Sequence, residues 1–239
     1  TGEYTRSQWC PAPGCEQHGI ESGITTPSPK YWTTGSPAYE YDYLVTHPEI
    51  TSTTHDYVMT WIMPVQGYLS TALYTNNVLI SSPVTMDTAF NLQIDGYAQS
   101  YSFTMTEYQI PENVKRAANA PDDFPEELIH VPTIPQRVQD LATSITAGKT
   151  TDYEKAEAIM YYLRNNYYYN INGTLTPDGE DFVDYFLFGN PTQDGKCTNF
   201  ASAFTILSRL NGIPTRYVEG NGPGDVVTPE EWQASGYGD

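Results

Sequence analysis

The chain has 239 residues, of which 39% are hydrophobic and 13% aromatic, enough for a sizeable core and too much for global disorder. Eleven basic residues stand against 29 acidic ones, and the resulting formal charge of −18 repels both a nucleic-acid backbone and an anionic membrane surface. Nucleic-acid binding is thereby excluded, and no apolar run approaches the roughly 20 residues of a membrane span.

Charged residues are only 17% of the chain, so Thr, Ser, Asn, Gln and Tyr must cover the surface, a composition that points to an exported, extracellular or cell-surface protein. Thr1 opens directly into polar sequence, as a mature or excised segment does. Residues 1–36 are rich in Gly, Pro, Ser and Thr without periodicity, and are expected to form an extended arm. Within it, Cys10 and Cys15 bracket a turn-rich loop that favours a disulfide between them. A metal site made of these two and His18 is the alternative, against which the spacing and the lack of a fourth ligand both speak.

A β-rich domain is expected over 37–110. Tyr57, Met59, Trp61 and Met63 alternate with smaller or polar residues, and Tyr97, Gln99, Tyr101, Phe103 and Met105 do the same. Asn76-Asn77, between two apolar stretches, predicts a tight turn. Residues 111–135 form a proline-punctuated connector.

The period then changes to 3.6. Val138, Leu141, Ala142 and Ile145 form one helical stripe that Gly148 ends, and Thr151 with Glu154 makes a capping box for a second helix. Its apolar face is Ala156, Ile159, Met160 and Leu163, and it frays into Tyr167-Tyr168-Tyr169. A third helix is predicted from Cys197, lined by Phe200, Phe204, Leu207 and Leu210, with Asn211-Gly212 as its stop; 213–218 reads as a buried strand. Sheet first and helices next, in a chain without internal repeats, is an α+β arrangement.

Cys197 opens an amphipathic helix whose free N–H groups and positive dipole end favour an anion, and Lys196 adds a positive neighbour. The same N–H groups can donate to a developing oxyanion, and Gly195 leaves room for a substrate backbone to reach the sulfur. A buried, inert cysteine is the competing reading of a lone thiol.

Three stretches bear on that choice: the one running from Gly179 through Asp184 to Phe188, then Gly195-Lys196-Cys197-Thr198-Asn199-Phe200-Ala201, then Arg209-Leu210-Asn211-Gly212-Ile213-Pro214-Thr215-Arg216-Tyr217-Val218-Glu219-Gly220. Together they resemble the transglutaminase-like superfamily, in its membrane-anchored bacterial and archaeal branch, over about residues 109–220. The resemblance implies a papain-like α+β core, incomplete at its C-terminal end and preceded by an antiparallel β domain, with a Cys-His-Asp triad and no cofactor or metal. Cys197 takes the nucleophile's position. Tyr169 stands where the family has an aromatic near the site, Gly212, Pro214 and Arg216 match structural positions, and Asp184 caps or braces the segment before the nucleophile.

The departure concerns the triad. The family's histidine and aspartate follow the cysteine, whereas His18, His47, His55 and His130 all precede Cys197. A thiol needs a base within reach and a group that orients the base. The chain is therefore expected to be part of a longer acyl-transfer enzyme, tethered by membrane helices outside this segment and acting on protein or peptide substrates. The alternative is a non-catalytic structural or interaction protein, self-associating at the cell surface, on the same scaffold. His130, in an apolar connector, reads as an ordinary structural histidine. Asp178, Glu180, Asp181 and Asp184 read as a solvated acidic loop, since their spacing is not that of an EF-hand.

Overall fold

The computed structural model describes residues 2–4, 9–11, 17–20, 23–25, 44, 46–69, 75–80, 84–87, 92–218 and 227–234. The chain divides into two compact units, residues 1–14 with 110–218, and residues 15–109 with 219–239. In the first unit β1 (Gly2–Tyr4) and β2 (Trp9–Pro11) pair antiparallel. The Cys10–Cys15 pairing, and the alternative metal site with His18, lie outside the described side chains.

The second unit is a wholly antiparallel sheet of β3 (Gln17–Ile20), β4 (Gly23–Thr25), β5 (Thr51–Leu69), β6 (Thr75–Ile80), β7 (Val84–Asp87) and β8 (Leu92–Gln109). Its order is β3-β7-β8-β6-β4, with β5 also on β8. The 1–36 segment is thus not an arm apart, because β3 pairs with β7 and β4 with β6. An edge strand needs only main-chain groups, so a stretch without side-chain periodicity can still supply one.

Two further expectations for this sheet are corrected. Asn76-Asn77 is no turn but lies inside β6, where Thr75 faces Met105 and Asn77 faces Thr104, so Asn76 is the extra residue of a bulge. The main-chain bonds offered by the long β8 outweigh the local turn preference of asparagine. The stripe from Tyr97 to Met105 also changes face part-way: Leu92, Ile94 and Ala98 are buried, then Tyr101 and Phe103, while Tyr97 is exposed. The switch falls beside the irregularity between the Thr60–Ser100 and Val65–Ala98 pairs, where β5 carries three more residues than β8. Tyr57 stacks on Phe103 with ring centroids 5.4 Å apart.

The first unit continues with α1 (Glu112–Arg116), a 3₁₀ turn (Glu126–Leu128), α2 (Gln136–Ile145) and α3 (Asp152–Asn166). After β9 (Tyr168–Tyr169) come α4 (Phe182–Asp184), a π turn (Tyr185–Gly189), β10 (Asp194–Gly195) and α5 (Cys197–Leu210). In the second unit, α6 (Pro229–Ala234) follows. Val138 and Ala142 of α2, Ile159 and Leu163 of α3, and Ala203, Ile206 and Leu207 of α5 are buried in one core with Phe186. The helix stripes read from the sequence are these faces, except that Met160 is exposed.

Local chemistry sets the helix ends. Thr151 Oγ1 accepts from the Glu154 N–H at 3.2 Å while Glu154 accepts from the Thr151 N–H, which completes the capping box. At the end of α5, Gly212 (φ +76°) donates to Arg209 O and Ile213 to Ser208 O, a Schellman closure that a side chain at the left-handed position would strain. The 111–135 connector is tied down rather than loose: Thr151 Oγ1 donates to Arg116 O, and the Asp152 N–H to Asn119 Oδ1. Residues 213–218 form no strand; the Thr215 N–H donates to Leu128 O at 2.9 Å. Strand-forming sequence without a neighbouring strand to pair with stays irregular.

Among the described residues no helix is long and apolar enough to cross a membrane.

Candidate active site

Cys197 is the first residue of α5, and its thiol is free and exposed. The earliest intrahelical donors are the N–H groups of Asn199 and Phe200, both to Lys196 O, so the N–H groups of Cys197 and Thr198 precede the first helical bond. The Lys196 N–H is occupied by Asn199 Oδ1 at 3.1 Å. An anion at the sulfur, or an oxyanion formed beside it, therefore meets two N–H groups and the positive end of a fourteen-residue helix.

The strand before the nucleophile is fixed from both sides. β10 pairs parallel with β9, matching Asp194 to Tyr168 and Gly195 to Tyr169, through Tyr168 N–H to Gln193 O and Asn170 N–H to Gly195 O, each 2.8 Å. Gln193 adopts φ +52°, an uncommon conformation for a residue with a side chain, just before this pair. A Cβ at Gly195 would stand 2.7 Å from Phe186 Cε2 and 2.9 Å from Asn199 Cβ. The glycine is thus required by the protein's own core, not only by room for a substrate. The Phe186 ring is in turn packed by Tyr167 at 4.7 Å and Phe200 at 5.2 Å between centroids. Burial raises the Tyr167 phenol above its usual range while its hydroxyl donates to Leu187 O at 2.9 Å.

The structure brings Tyr169, Gly195 and Cys197 together at one end of α5. The Tyr169 ring is exposed and lies 6.4 Å from that of Phe200. Phe200 and Ala201, three and four positions after Cys197 and so on its helix face, form one wall of an apolar groove of about 470 Å³ that Tyr169, Leu163 and Phe204 complete, with Arg164 among its lining residues. Gly212, Pro214 and Arg216 lie at the other end of the helix, about 20 Å away by its rise.

Asp184 is not part of a solvated acidic loop. Its carboxylate is buried and takes a two-pronged bond from Arg137, Nε at 2.6 Å and Nη2 at 2.5 Å, and the Arg137 guanidinium also lies over the Phe188 ring. Asp181 is buried too, and its Oδ1 accepts the N–H groups of Val183 and Asp184. Both carboxylates organise the turn that presents Phe186. Among the described residues no cluster of His, Cys, Asp and Glu could hold a metal ion.

His130 is the one histidine of this unit, and its carbonyl accepts from Arg209 Nη1 at 3.0 Å. Arg209 is twelve residues beyond Cys197, about 18 Å along the helix, so His130 belongs to the opposite end. Arg209 is itself buried and also donates to Thr215 O; burial draws its pKa down to about 10 against the opposing pull of Glu127. Sequence reasoning missed Arg137, Phe186, Arg209 and the polar residues around Asp194. The Arg-x-x-Gly-Ile-Pro spacing was the one available signal, for Arg209.

Residues 139–236 match the transglutaminase-like superfamily. The chain is 31% identical over 148 residues to the uncharacterized protein YebA of Bacillus subtilis (strain 168), an alignment covering 60% of this chain and 20% of YebA. The periplasmic domain of TgpA from Pseudomonas aeruginosa shares the fold, with TM-score 0.52 and 18% identity over 86% of this chain and 61% of that one. The same domain bound to ethylmercury gives 0.52 and 17% over 88% and 64%. The chain thus spans about three fifths of that domain and a fifth of YebA. The segment that matches the transglutaminase-like superfamily takes in Cys197 at the head of α5.

Proposed function

We propose that this unit carries the nucleophile of an extracytoplasmic transglutaminase-like cysteine enzyme that transfers the acyl group of a peptide amide or isopeptide. Acting on water it is a protease or amidase; acting on an amine it is a cross-linker. The observation that carries the reading is the exposed Cys197 thiol on the first residue of a helix, inside the superfamily segment. The thiolate attacks the carbonyl carbon and the N–H groups of Cys197 and Thr198 hold the oxyanion. The C–N bond breaks as the departing amine takes a proton from a histidine; water or an amine then attacks the thioester, and the thiolate leaves.

That histidine and the aspartate that orients it come, in this proposal, from outside residues 1–239, and any membrane tether lies there too. The apolar groove one turn from the sulfur favours a protein or peptide substrate. The extracytoplasmic setting is supported by the periplasmic origin of the TgpA domain and by the low charge content of this chain. The chemistry asks for no metal or cofactor.

The full-length protein is expected to hydrolyse, or to join to an amine, a glutamine-containing peptide, and to lose this on Cys197→Ala. Residues 1–239 alone are expected to be alkylated at Cys197 without turnover. Activity that survives Cys197→Ala refutes the assignment. One observation favours a second reading, a non-catalytic surface scaffold: the chain is rich in tyrosine, with 20 in 239 residues. Inactivity of the full-length protein with an alkylatable Cys197 would establish it.

A further inference from the structure

Three residues before the sulfur, the Asp194 carboxylate collects five donors. Oδ1 accepts from Thr192 Oγ1 at 2.5 Å, Asn190 Nδ2 at 3.1 Å, Thr174 Oγ1 at 3.1 Å and the Thr174 N–H at 3.3 Å, and Oδ2 accepts from Asn170 Nδ2 at 2.7 Å. Each hydroxyl has one proton, and the carboxylate, the only anion in the cluster, is the acceptor that draws it most strongly. The donors come from two separate stretches, 170–174 and 190–192, so the side chain straps both to β10. Asn190 Nδ2 also reaches Asp194 O at 2.7 Å.

The strap matters because the main-chain pairing that leads into α5 is short. The β9–β10 pair is two residues long, and among the described residues the sheet it forms has no further strand. A ladder this short is marginal by itself. Downstream, Gly195 is wedged by Phe186 and Lys196 is held by Asn199, so a displacement of Asp194 passes to the Cys197 N–H and sulfur without a flexible joint.

We infer that Asp194 is a positioning residue for the nucleophile, holding β10 so that Cys197 and its N–H stand where an acyl carbonyl is attacked. It is not assigned to the triad: its oxygens already accept from donors at residues 170–192 of this chain. The Thr192 hydroxyl first, then the Asn170 and Asn190 amides, hold the carboxyl well below the usual carboxylate range, so it does not exchange a proton near neutrality. The inference deepens the acyl-transfer proposal and rests on it.

The test uses the full-length protein with 4-nitrophenyl acetate as acyl donor and iodoacetamide as alkylating agent. In Asp194→Asn the rate constant of the 4-nitrophenol burst should fall on the order of tenfold to a hundredfold, the cost of a nucleophile about 1 Å out of place. Half-saturation by the ester should not change, since ground-state binding is untouched. Alkylation of Cys197, which needs no oxyanion alignment, should change by less than about threefold, where unfolding would accelerate it. Should Asp194→Asn fail to fold, Asn170→Ala and Thr192→Val remove single donors and should each give part of the same split.

A folded Asp194→Asn protein with the wild-type burst overturns the inference alone. So does a loss of burst that tracks a loss of folded protein. A wild-type protein that is alkylated at Cys197 but shows no burst refutes acyl transfer, and the inference falls with it.

Discussion

Replacing Gly195 by alanine puts one methyl group where the structure has no room. The added carbon would lie 2.7 Å from Phe186 Cε2 and 2.9 and 3.1 Å from Asn199 Cβ and Cγ. Phe186 is 2% exposed and locked between Tyr167 and Phe200, and Asn199 is 5% exposed with its oxygen committed to the Lys196 N–H, so neither neighbour can swing aside into solvent. Forcing a methylene into such a core costs about 1–3 kcal/mol, and with two immobile neighbours we expect a loss near the upper end. Urea unfolding should show a lower midpoint at unchanged slope, because the surface exposed on unfolding stays the same. The double variant Gly195→Ala, Phe186→Leu supplies space at the contact and should lose about 1 kcal/mol less than the two single losses added together. A Gly195→Ala protein within about 0.5 kcal/mol of wild type, or strict additivity in the pair, would refute the account of why this position is glycine.

Other expectations follow from contacts described above. Arg137→Ala leaves the buried Asp184 carboxylate without its cation and should destabilise by about 2–3 kcal/mol, discounted from the fully buried case because Arg137 is half exposed; Arg137→Lys should not restore a two-pronged bond, as chemical denaturation will register. Thr151→Ala removes a cap acceptor and should cost about 1 kcal/mol in the same measurement, with Glu154→Ala removing the other half of the box. The stability that ionised Asp194 contributes is full above the unfolded carboxyl value of about 3.9 and is lost as the pH falls through its lower folded value. The gap between wild type and Asp194→Asn should therefore be constant from pH 5 to 8 and close only in stronger acid; a gap that closes near pH 5 would contradict the donor count at this carboxylate.

What the sequence disclosed was whatever depends on neighbours in the chain. Apolar spacing marked α2, α3 and α5, the Thr151–Glu154 pair marked a helix start, and Asn211-Gly212 marked a stop, because caps and stripes act within a turn or two. It failed where a distant partner decides. Asn76 is a bulge because of where β8 runs, and Tyr97 is exposed because of the irregularity opposite β5. The acidic run around residue 181 looked solvated because Arg137, forty-seven positions from Asp184, is invisible to local reading. At the site, the helix that carries Cys197 was legible, while the five donors on Asp194 were not, since Asn and Thr in a loop carry no spacing signal.

The groups that hold Cys197 in place have a consequence for biosynthesis. The wedge of Phe186, the β9 partner and the Asp194 strap all precede the cysteine in the chain, and the Asn199 clasp follows it by two residues. A chain made from its N-terminus can seat this thiol once α5 and its Gly212 closure have left the ribosome. During that interval the sulfur is exposed but, on the proposed chemistry, has no imidazole to work with. On that proposal, a chain ordered in this way seats its reactive atom before the base that activates it has been made.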